Sequence, residues 1–405
     1  MQLKWTAVAL AAITLVACGK KEEAAAPAAA PAPTAAAPAA APAPAPAGDT
    51  LVVKIGHVAP TSGPIAHLGK DNEFGAKMAI EDLNAKGIKI GDKVAKFELV
   101  PEDDAGDPKQ GTAVAQKLVD EKVNGVVGHL NSGTTIPASK LYSDAGIPQI
   151  SPSATNPKYT RQGFKTTFRV VADDTQLGGT LGKYAVETLK GKNIAVIDDR
   201  TAYGQGVAEE FEKSAKAAGA TIVGHEFTTD KSTDFNAILT KLKAAKPDVL
   251  FFGGMDAVGG PMLKQAKQLG IDAKFMGGDG MCSTELPKLA GDALGEGAVV
   301  CAVAGGVDDD ARQALEEFKT RFKEKNGVDV QIYAPYVYDA IGVLADAMVK
   351  AGSVEPSVYL PELGKVKYKG LTGTIAFDEK GDIRNGALTL FTYKGGIRSQ
   401  IAVVR

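Results

Sequence analysis

Short hydrophobic runs alternate with amphipathic segments along most of the chain after residue 50. The runs TLVVKIGHVA, KFELV, VNGVVGHL, NIAVIDD, DVLFFGG, KFMGG and GAVVCAV have the length and apolar content of buried strands. Between them lie helical patterns such as FGAKMAIEDLNAKG, which places Phe74, Met78, Ala79 and Leu83 on one face. Strands that alternate with such helices predict parallel sheets covered on both faces, and hence an α/β fold.

The length of this patterned region predicts two such sheets rather than one. The chain has 405 residues, of which 44% are hydrophobic and 23% are charged, as in ordinary globular proteins. From residue 50 onward it is too long for a single core, so we expect two lobes. The net charge of −2 gives no reason to expect a nucleic-acid partner.

The N-terminal region has a different composition from the rest of the chain. Residues 1–18 carry Lys4 and then an apolar run that is too short to span a bilayer, which is typical of a secretory signal peptide. The run ends in LVACG, which resembles a bacterial lipobox and predicts lipidation of Cys18. Residues 19–49 are rich in Ala and Pro and predict a semi-stiff tether between a lipid anchor and the folded body.

Small polar residues follow several of the predicted strands, where open α/β sheets bind their ligands. In GHLNSGTT, Ser132, Thr134 and Thr135 open a predicted helix, whose free backbone N–H groups suit a small anion. The same residue types also serve as ordinary helix N-caps. The sequence therefore leaves two interpretations open, a cradle for a carboxylate and plain capping.

Across residues 50–400 the chain resembles the periplasmic leucine/isoleucine/valine-binding proteins of ABC importers. The resemblance lies in the runs SGPIAHLGKDNEFGAKMAIEDLNAKG, DDAGDPKQGTAVAQKLV, GHLNSGTTIPAS, ISPSATNP, AYGQG, KFMGGDG and FDEKGD. It implies a type I periplasmic binding fold, in which two doubly wound parallel-sheet lobes are joined by three crossing segments. Lobe 1 would comprise residues 50–172, completed by about 304–386, and lobe 2 residues 173–303, completed by about 387–405.

The resemblance also implies a binding site for an amino acid. Its carboxylate contacts would be Ser132 and Thr155 with nearby N–H groups in the Ser153–Ala154 run. Its ammonium contacts would be the Ser153 carbonyl, the Thr155 hydroxyl and Asp279. The ligand side chain would meet the remaining predicted residues, which are Leu68, Asn131, Tyr203, Met255 and Tyr333.

Three departures from the family pattern bear on ligand preference. Members often have Glu where Asp279 stands and aromatic residues where Leu68 and Met255 stand. They also commonly have a disulfide between the positions of Gly106 and Asn131, which cannot form here. The resemblance implies a branched-chain or other small, largely apolar amino acid. The departures, which place the Asn131 amide at the pocket wall, leave a polar ligand or another small carboxylate as the alternative.

The remaining candidate groups have structural interpretations. Asp103 and Asp104 resemble a catalytic carboxylate pair, but their place before a Pro-opened helix favours a capping or surface role. His129 is typical of a structural strand histidine. Cys282 and Cys301 could pair in an oxidising compartment, but spacing alone cannot bring their Cα atoms within reach. We expect instead two separate, buried small residues.

These observations predict a periplasmic, membrane-anchored, monomeric solute-binding lipoprotein that hands its ligand to ABC permease subunits. An enzyme on the same architecture would need a nucleophile–base pair or a metal site, and neither is evident from the sequence. We expect no catalytic residue, metal or cofactor. A ligand-sensing module is a third hypothesis, but it would normally continue into a transmembrane helix, whereas this chain ends at IAVVR.

Overall fold

The computed structural model describes residues 50–306 and 311–404. The predicted signal peptide, Cys18 and the tether at 19–49 lie outside the described residues. Within the described ranges, no helix combines the length and the apolar character needed to cross a membrane.

The chain forms a succession of strands and helices close to the predicted order. The strands are β1 (Thr50–Ala59), β2 (Lys89–Ile90), β3 (Lys93–Asp103), β4 (Gly125–Gly128), β5 (Gln149–Ser151), β6 (Thr167–Arg169), β7 (Asn193–Asp198), β8 (Thr221–Phe227), β9 (Val249–Gly253), β10 (Lys274–Gly277), β11 (Val299–Val303), β12 (Tyr368–Gly370), β13 (Gly373–Ile375), β14 (Leu388–Lys394) and β15 (Ile397–Val404). The helices are α1 (Ala66–Ala85), α2 (Pro108–Asp120), α3 (Ser132–Asp144), α4 (Asp174–Glu187), α5 (Ala202–Ala217), α6 (Asn236–Ala244), α7 (Asp256–Gln268), α8 (Leu286–Ala290), α9 (Arg312–Asn326), α10 (Ala334–Ala351) and α11 (Pro356–Leu363).

Two sheets organise the molecule, as the sequence predicts. The first has the strand order β2-β3-β1-β4-β5-β6, and the second has the order β15-β14-β11-β10-β9-β7-β8. Their central strands pair in parallel, while β2, β14 and β15 are antiparallel additions at the sheet edges. In both sheets the strand order reverses direction, which is the doubly wound arrangement.

The chain passes between the two sheets three times. It leaves the first sheet after β6, returns after β11, and enters the second sheet again at β14. On the return it forms α10, which packs against α1, β4 and β5 of the first sheet. These passages join the two halves of the fold, in agreement with the predicted fold class.

Burial on both faces explains why the central strands are almost entirely apolar. Strands β9 and β11 are buried along their whole length. Phe251 of β9 stacks on Phe211 of α5 with ring centroids 3.8 Å apart. Each large apolar side chain removed from water in this way contributes about 1.5–3 kcal/mol.

Helix α1 begins at Ala66, well before the start that the sequence pattern indicates. Met78, Ala79 and Leu83 lie in the core as expected, whereas Phe74 is partly exposed and packs edge-on against Phe322. The longer helix brings Leu68 onto a buried face. The early residues of α1 consequently face the region between the sheets.

The expectation of two separate cysteines is wrong. Cys282 and Cys301 form a disulfide, with Cα atoms 5.6 Å apart. Cys301 lies in β11, which pairs with β10, and Cys282 follows the turn at the end of β10. Adjacent strands thus bring the two residues within reach, although this proximity is not readable from their spacing in the sequence.

We expect the double variant C282A/C301A to lose about 3 kcal/mol of unfolding free energy, because the cross-link spans a sequence separation of 19 and restricts the unfolded chain. Guanidinium unfolding under non-oxidising and oxidising conditions measures this loss. Each single variant should lose as much as the double variant, since either change breaks the bond. An unchanged unfolding midpoint in all three variants would contradict the assignment.

Candidate functional site

Most of the residues predicted to bind a ligand follow the carboxyl ends of parallel strands in both sheets, whereas Leu68 lies in α1 and Tyr333 directly precedes α10. Asn131 and Ser132 follow β4, and the run from Ser153 to Thr155 follows β5. In the second sheet the corresponding residues follow β7, β9 and β10, and they are Tyr203, Met255 and Asp279. The parallel register places the ends of neighbouring strands at one edge of each sheet.

Asp279 is a buried carboxylate held by two tyrosines. It is 1% exposed, its Oδ1 accepts a hydrogen bond of 2.7 Å from the Tyr203 hydroxyl, and its Oδ2 accepts one of 2.7 Å from the Tyr333 hydroxyl. Burial raises the pKa of Asp279, although these hydrogen bonds oppose the rise. Burial and the nearby carboxylate also raise the pKa of both tyrosines, so the tyrosines remain neutral donors.

Glycines on either side of Asp279 permit this close packing. A Cβ atom at Gly278 would lie 2.4 Å from the Tyr203 hydroxyl, and one at Gly280 would lie 2.6 Å from the Met255 sulfur. The backbone N–H of Gly280 also donates to the Tyr203 hydroxyl over 3.1 Å. The glycines of GGDG therefore allow neighbouring side chains to approach Asp279, in addition to forming a turn.

Tyr333 is positioned by a second buried carboxylate, Asp71 of α1. The Asp71 oxygens accept hydrogen bonds of 2.7 to 3.1 Å from the backbone N–H groups of residues 331–334, including that of Tyr333. Burial raises the pKa of Asp71, although all these N–H groups favour its charged form. Asp71 thus fixes the start of α10 and, through Tyr333, reaches Asp279. No role for Asp71 is predictable from the sequence, because its hydrogen-bond partners lie far away along the chain.

The hydroxyls of Thr134 and Thr135 bond to the local backbone, which for these two residues favours the structural interpretation over the carboxylate cradle. The Thr134 hydroxyl donates to the Asn131 carbonyl over 3.0 Å, and the Thr135 hydroxyl donates to the same carbonyl over 2.8 Å. Both are therefore used inside their own helical turn. The Asn131 side chain does not cap α3, and no other side-chain cap is present at this helix start among the described residues. The free backbone N–H groups at the start of α3 are therefore the groups of this segment that suit an anion.

Ser132 and Thr155 lie together, joined through Asn156. Ser132 Oγ accepts a hydrogen bond of 3.2 Å from the Asn156 N–H, and the Asn156 side chain donates to the Ala202 carbonyl over 2.6 Å. The Thr155 hydroxyl is buried and has no hydrogen-bond partner within residues 50–306 and 311–404. A buried hydroxyl without a partner costs free energy, so a bound polar ligand would relieve this cost.

Ser153 and Ala154 contribute mainly to the wall beside Thr155. The Ser153 hydroxyl donates to the Leu130 carbonyl over 2.9 Å. The Ala154 carbonyl accepts a hydrogen bond of 2.8 Å from the guanidinium of Arg169. Both residues are buried, and their polar groups support the local backbone.

A cavity of about 380 Å³ opens beside these residues. Of the predicted site residues, Asn131, Tyr203 and Met255 line it. The other predicted residues are buried and are not part of its lining; they are Leu68, Ser132, Ser153, Ala154, Thr155, Asp279 and Tyr333. Apolar groups from Pro64, Ile65 and Val258 form part of the wall, and charged residues also line it, namely Asp199, Arg200, Asp230 and Lys231.

Asp174 is a polar residue near the site that sequence reasoning missed. It is fully buried at the start of α4, and neither carboxylate oxygen has a hydrogen-bond partner in the described part of the chain. The Thr155 hydroxyl lies close enough to the Asp174 carboxylate to oppose the rise of its pKa by hydrogen bonding, although the contact does not meet strict hydrogen-bond geometry. Burial, reinforced by the charge of Asp279, raises the pKa of Asp174 well above its usual range. The paired aspartates in ADDTQ were a signal, since Asp173 already serves as the N-cap.

The capping role predicted for Asp103 and Asp104 is confirmed for both carboxylates, since Asp104 Oδ1 accepts a hydrogen bond of 3.0 Å from the Gly106 N–H, but Asp104 is buried and not at the surface. Asp103 Oδ1 accepts hydrogen bonds from the backbone N–H groups of Thr61 and Ala105. Asp104 is buried and lies 2.9 Å from Nδ1 of His129, whose other ring nitrogen is 3.1 Å from the Tyr142 hydroxyl. His129 therefore belongs to a buried structural network.

Comparison with known proteins agrees with this architecture. Residues 52–396 match the family model described as periplasmic binding protein. The leucine-, isoleucine-, valine-, threonine- and alanine-binding protein of Pseudomonas aeruginosa is 38% identical over 356 residues, which cover 88% of this chain and 93% of that protein.

Solved structures of similar proteins have the same fold. The leucine-binding protein of Thermotoga maritima superposes with a TM-score of 0.80 at 26% identity, covering 87% of this chain and 98% of its own. A second similar structure is the branched-chain amino acid transporter substrate-binding protein of Streptococcus pneumoniae in complex with isoleucine. Its TM-score is 0.77 at 27% identity, and the match covers 87% of this chain and 99% of that chain.

We expect the variant D174N to gain stability relative to the unmodified protein as the pH rises from 4 to 7. Burial raises the pKa of Asp174, so its contribution to stability is complete below the unfolded-state pKa and is lost as the pH rises through the folded-state pKa. The difference in unfolding free energy should change by more than about 1 kcal/mol, since one pKa unit corresponds to about 1.4 kcal/mol.

Urea unfolding of both proteins at several pH values provides this comparison. The variant D292N, at an exposed position, shows what the same substitution does at the surface. A difference between D174N and the unmodified protein that stays constant with pH would show that Asp174 titrates alike in the folded and unfolded chains.

Proposed function

The chain belongs to the periplasmic binding protein family, and on that premise we propose that it captures a small, largely apolar α-amino acid and delivers it to an ABC importer. Its relatives are solute-binding proteins of transporters and not enzymes. The observation that carries the proposal is the buried Asp279 carboxylate, which has two neutral donors but no cationic partner among the described residues. A ligand with an ammonium group would supply the missing charge.

The ammonium group would bind between Asp279 and the strand end that carries Thr155. The Thr155 hydroxyl has an unused acceptor and donor, and Asp174 adds a second buried carboxylate in the same region. The Tyr203 and Tyr333 hydroxyls each occupy one lone pair of Asp279, and each carboxylate oxygen retains a further acceptor site. This acidic region favours an amine over a simple organic acid.

The ligand carboxylate would bind at the start of α3, where Ser132 adds a hydroxyl. The backbone N–H groups of a helix N-terminus carry partial positive charge, and no side chain in the described part of the chain caps this one. The two charges of a zwitterion would therefore be matched at opposite sides of the site. Matching both charges offsets the cost of removing the ligand from water.

The cavity beside Tyr203 would accept the ligand side chain. Its volume of about 380 Å³ lies at the small end of the range of ligand pockets, which is roughly 300–1,000 Å³. Met255, Ile65 and Val258 give it apolar walls suited to an aliphatic group. The Pseudomonas relative is named for leucine, isoleucine, valine, threonine and alanine, and we assign the same class of ligand to this chain.

Closure of two lobes around the ligand would complete the site. We assign lobe 1 to residues 50–172 and about 304–386, and lobe 2 to 173–303 and about 387–405. The contacts from Tyr333 to Asp279 and from Asn156 to Ala202 would then cross the cleft. A ligand that touches both sides stabilises the closed arrangement by its differential affinity.

We further assign the protein to the periplasm as a monomeric lipoprotein. Cleavage after residue 17 would make Cys18 the lipidated N-terminus, and residues 19–49 would form the tether to the membrane. Mass spectrometry of the N-terminal peptide of the protein isolated from membranes tests the cleavage and lipidation of Cys18 separately from ligand binding.

We expect leucine, isoleucine or valine to stabilise the protein against heat. At 100 times its dissociation constant a ligand adds about 2.7 kcal/mol of unfolding free energy. Thermal-shift measurements against the common α-amino acids and simple carboxylates test this on the full mature chain. Stabilisation by carboxylates without an amine, and by no α-amino acid, would overturn the substrate class.

We expect D279A to reduce the discrimination between leucine and 4-methylpentanoate, which lacks the amine. A charge-assisted hydrogen bond is worth about 1.5–3 kcal/mol, so leucine affinity should fall roughly ten- to hundredfold while 4-methylpentanoate affinity does not fall. Calorimetric titration of both ligands measures the ratio. The control D230A removes an exposed carboxylate from the lining of the cavity and should leave the ratio unchanged. Equal ratios in D279A and the unmodified protein would refute the ammonium assignment.

A further inference from the structure

A histidine–aspartate contact joins the two sides of the fold beside the candidate site. Nε2 of His67 lies 2.7 Å from Oδ2 of Asp256. His67 belongs to α1, which packs on β1 and β3 of the first sheet, whereas Asp256 opens α7 directly after β9 of the second sheet. The adjacent residues in the sequence are Leu68 and Met255, both predicted ligand contacts. The pair therefore lies at the border between the two sides and next to the site.

The environment of Asp256 makes this contact energetically significant. Its side chain is completely buried, Oδ2 also accepts a hydrogen bond from the Ser283 hydroxyl, and Oδ1 has no partner among the described residues. The His67 side chain is 20% exposed, so its proton can exchange with solvent. If the two sides separated, Asp256 would lose its cross-cleft partner. A hydrogen bond to a charged, buried group contributes more stabilising free energy than one at the surface.

The groups around His67 favour its charged form. Burial lowers the pKa of His67, but Asp256 raises it by hydrogen bond and charge, and Glu285 before α8 and Asp71 on α1 raise it further, so that the pKa lies above its usual value. Asp256 in turn faces the hydroxyls of Tyr333 and Tyr393, which remain neutral. The charged groups that act on His67 from α7, from the segment before α8 and from α1 are thus all acidic.

We infer that His67 and Asp256 are positioning residues of the binding site, forming a cross-cleft hydrogen bond that holds α1 against α7 in the closed state and makes ligand affinity rise as the pH falls. The inference rests on the proposed function, since the ligand is what selects the closed state. It goes beyond the family resemblance, which implies no role for either residue.

The direction of the pH effect follows from linkage. In the closed state His67 binds a proton more tightly than it does when it faces water, so closure takes up protons. The stabilisation is complete below the pKa of the open state and disappears as the pH rises through the higher pKa of the closed state. Ligand affinity should therefore decrease between mildly acidic and mildly alkaline pH.

Calorimetric titration with leucine at pH 5.5, 7.0 and 8.5 tests the inference on the mature chain. We expect the affinity of the unmodified protein to be roughly threefold or more weaker at pH 8.5 than at pH 5.5. The variant H67Q should bind with an affinity that changes little over this range. The matched control is H225Q, because His225 also pairs with carboxylates, Asp198 and Glu212, but does so without spanning the two sheets. It should retain the pH dependence.

A pH-independent affinity in the unmodified protein, or an unchanged slope in H67Q, would overturn the inference while leaving the proposed function intact. Absence of leucine binding at every pH would count against the proposed function instead. In that case NMR titration of the His67 ring still tests the contact without a ligand. We expect its midpoint to fall in D256N, and an unchanged midpoint would overturn the assignment of the pair.

Discussion

A buried carboxylate that has no cationic partner in the described part of the chain is the constraint on which this candidate site depends. Asp279 lies at the end of a central strand, where solvent cannot stabilise its charge. The fold meets this constraint with two neutral tyrosine donors, which lower the cost of the charge without cancelling it. Glycines beside Asp279 allow Tyr203 to approach closely enough to donate. The remaining demand for positive charge is the reason why we propose an amine as the ligand of this site.

The same carboxylate makes the site dependent on both halves of the fold. Tyr203 comes from the helix after β7, whereas Tyr333 precedes a helix that packs against the first sheet. Asp71 holds the backbone around Tyr333 and so determines where its hydroxyl reaches. Both halves of the fold therefore contribute hydrogen-bond donors to Asp279, and movement of either half would change these hydrogen bonds. On the proposed function, these hydrogen bonds would couple ligand binding to the relative position of the halves.

The sequence predicts the fold, and it predicts that the candidate site residues follow strand ends, because apolar runs and strand ends are local properties. The alternation of strands and helices, together with the parallel register, is enough to place Asp279 and Ser132 at strand ends. It does not reveal which polar groups satisfy each other across the fold. The hydroxyl of Thr134 turns back to its own helix, and Asp71 finds partners near residue 331, because those choices depend on tertiary packing. The cysteine pairing was misjudged for the same reason.

The disulfide lies next to Asp279 in the sequence, and the redox conditions of the compartment decide whether it forms. Cys282 follows closely after Asp279, and its bond to Cys301 anchors the turn that carries this carboxylate to the next strand. In a reducing cytosol this anchor would not persist. A chain without this bond would therefore present a less firmly held carboxylate, and on the proposed export and ligand binding we expect full affinity only after oxidation outside the cytosol.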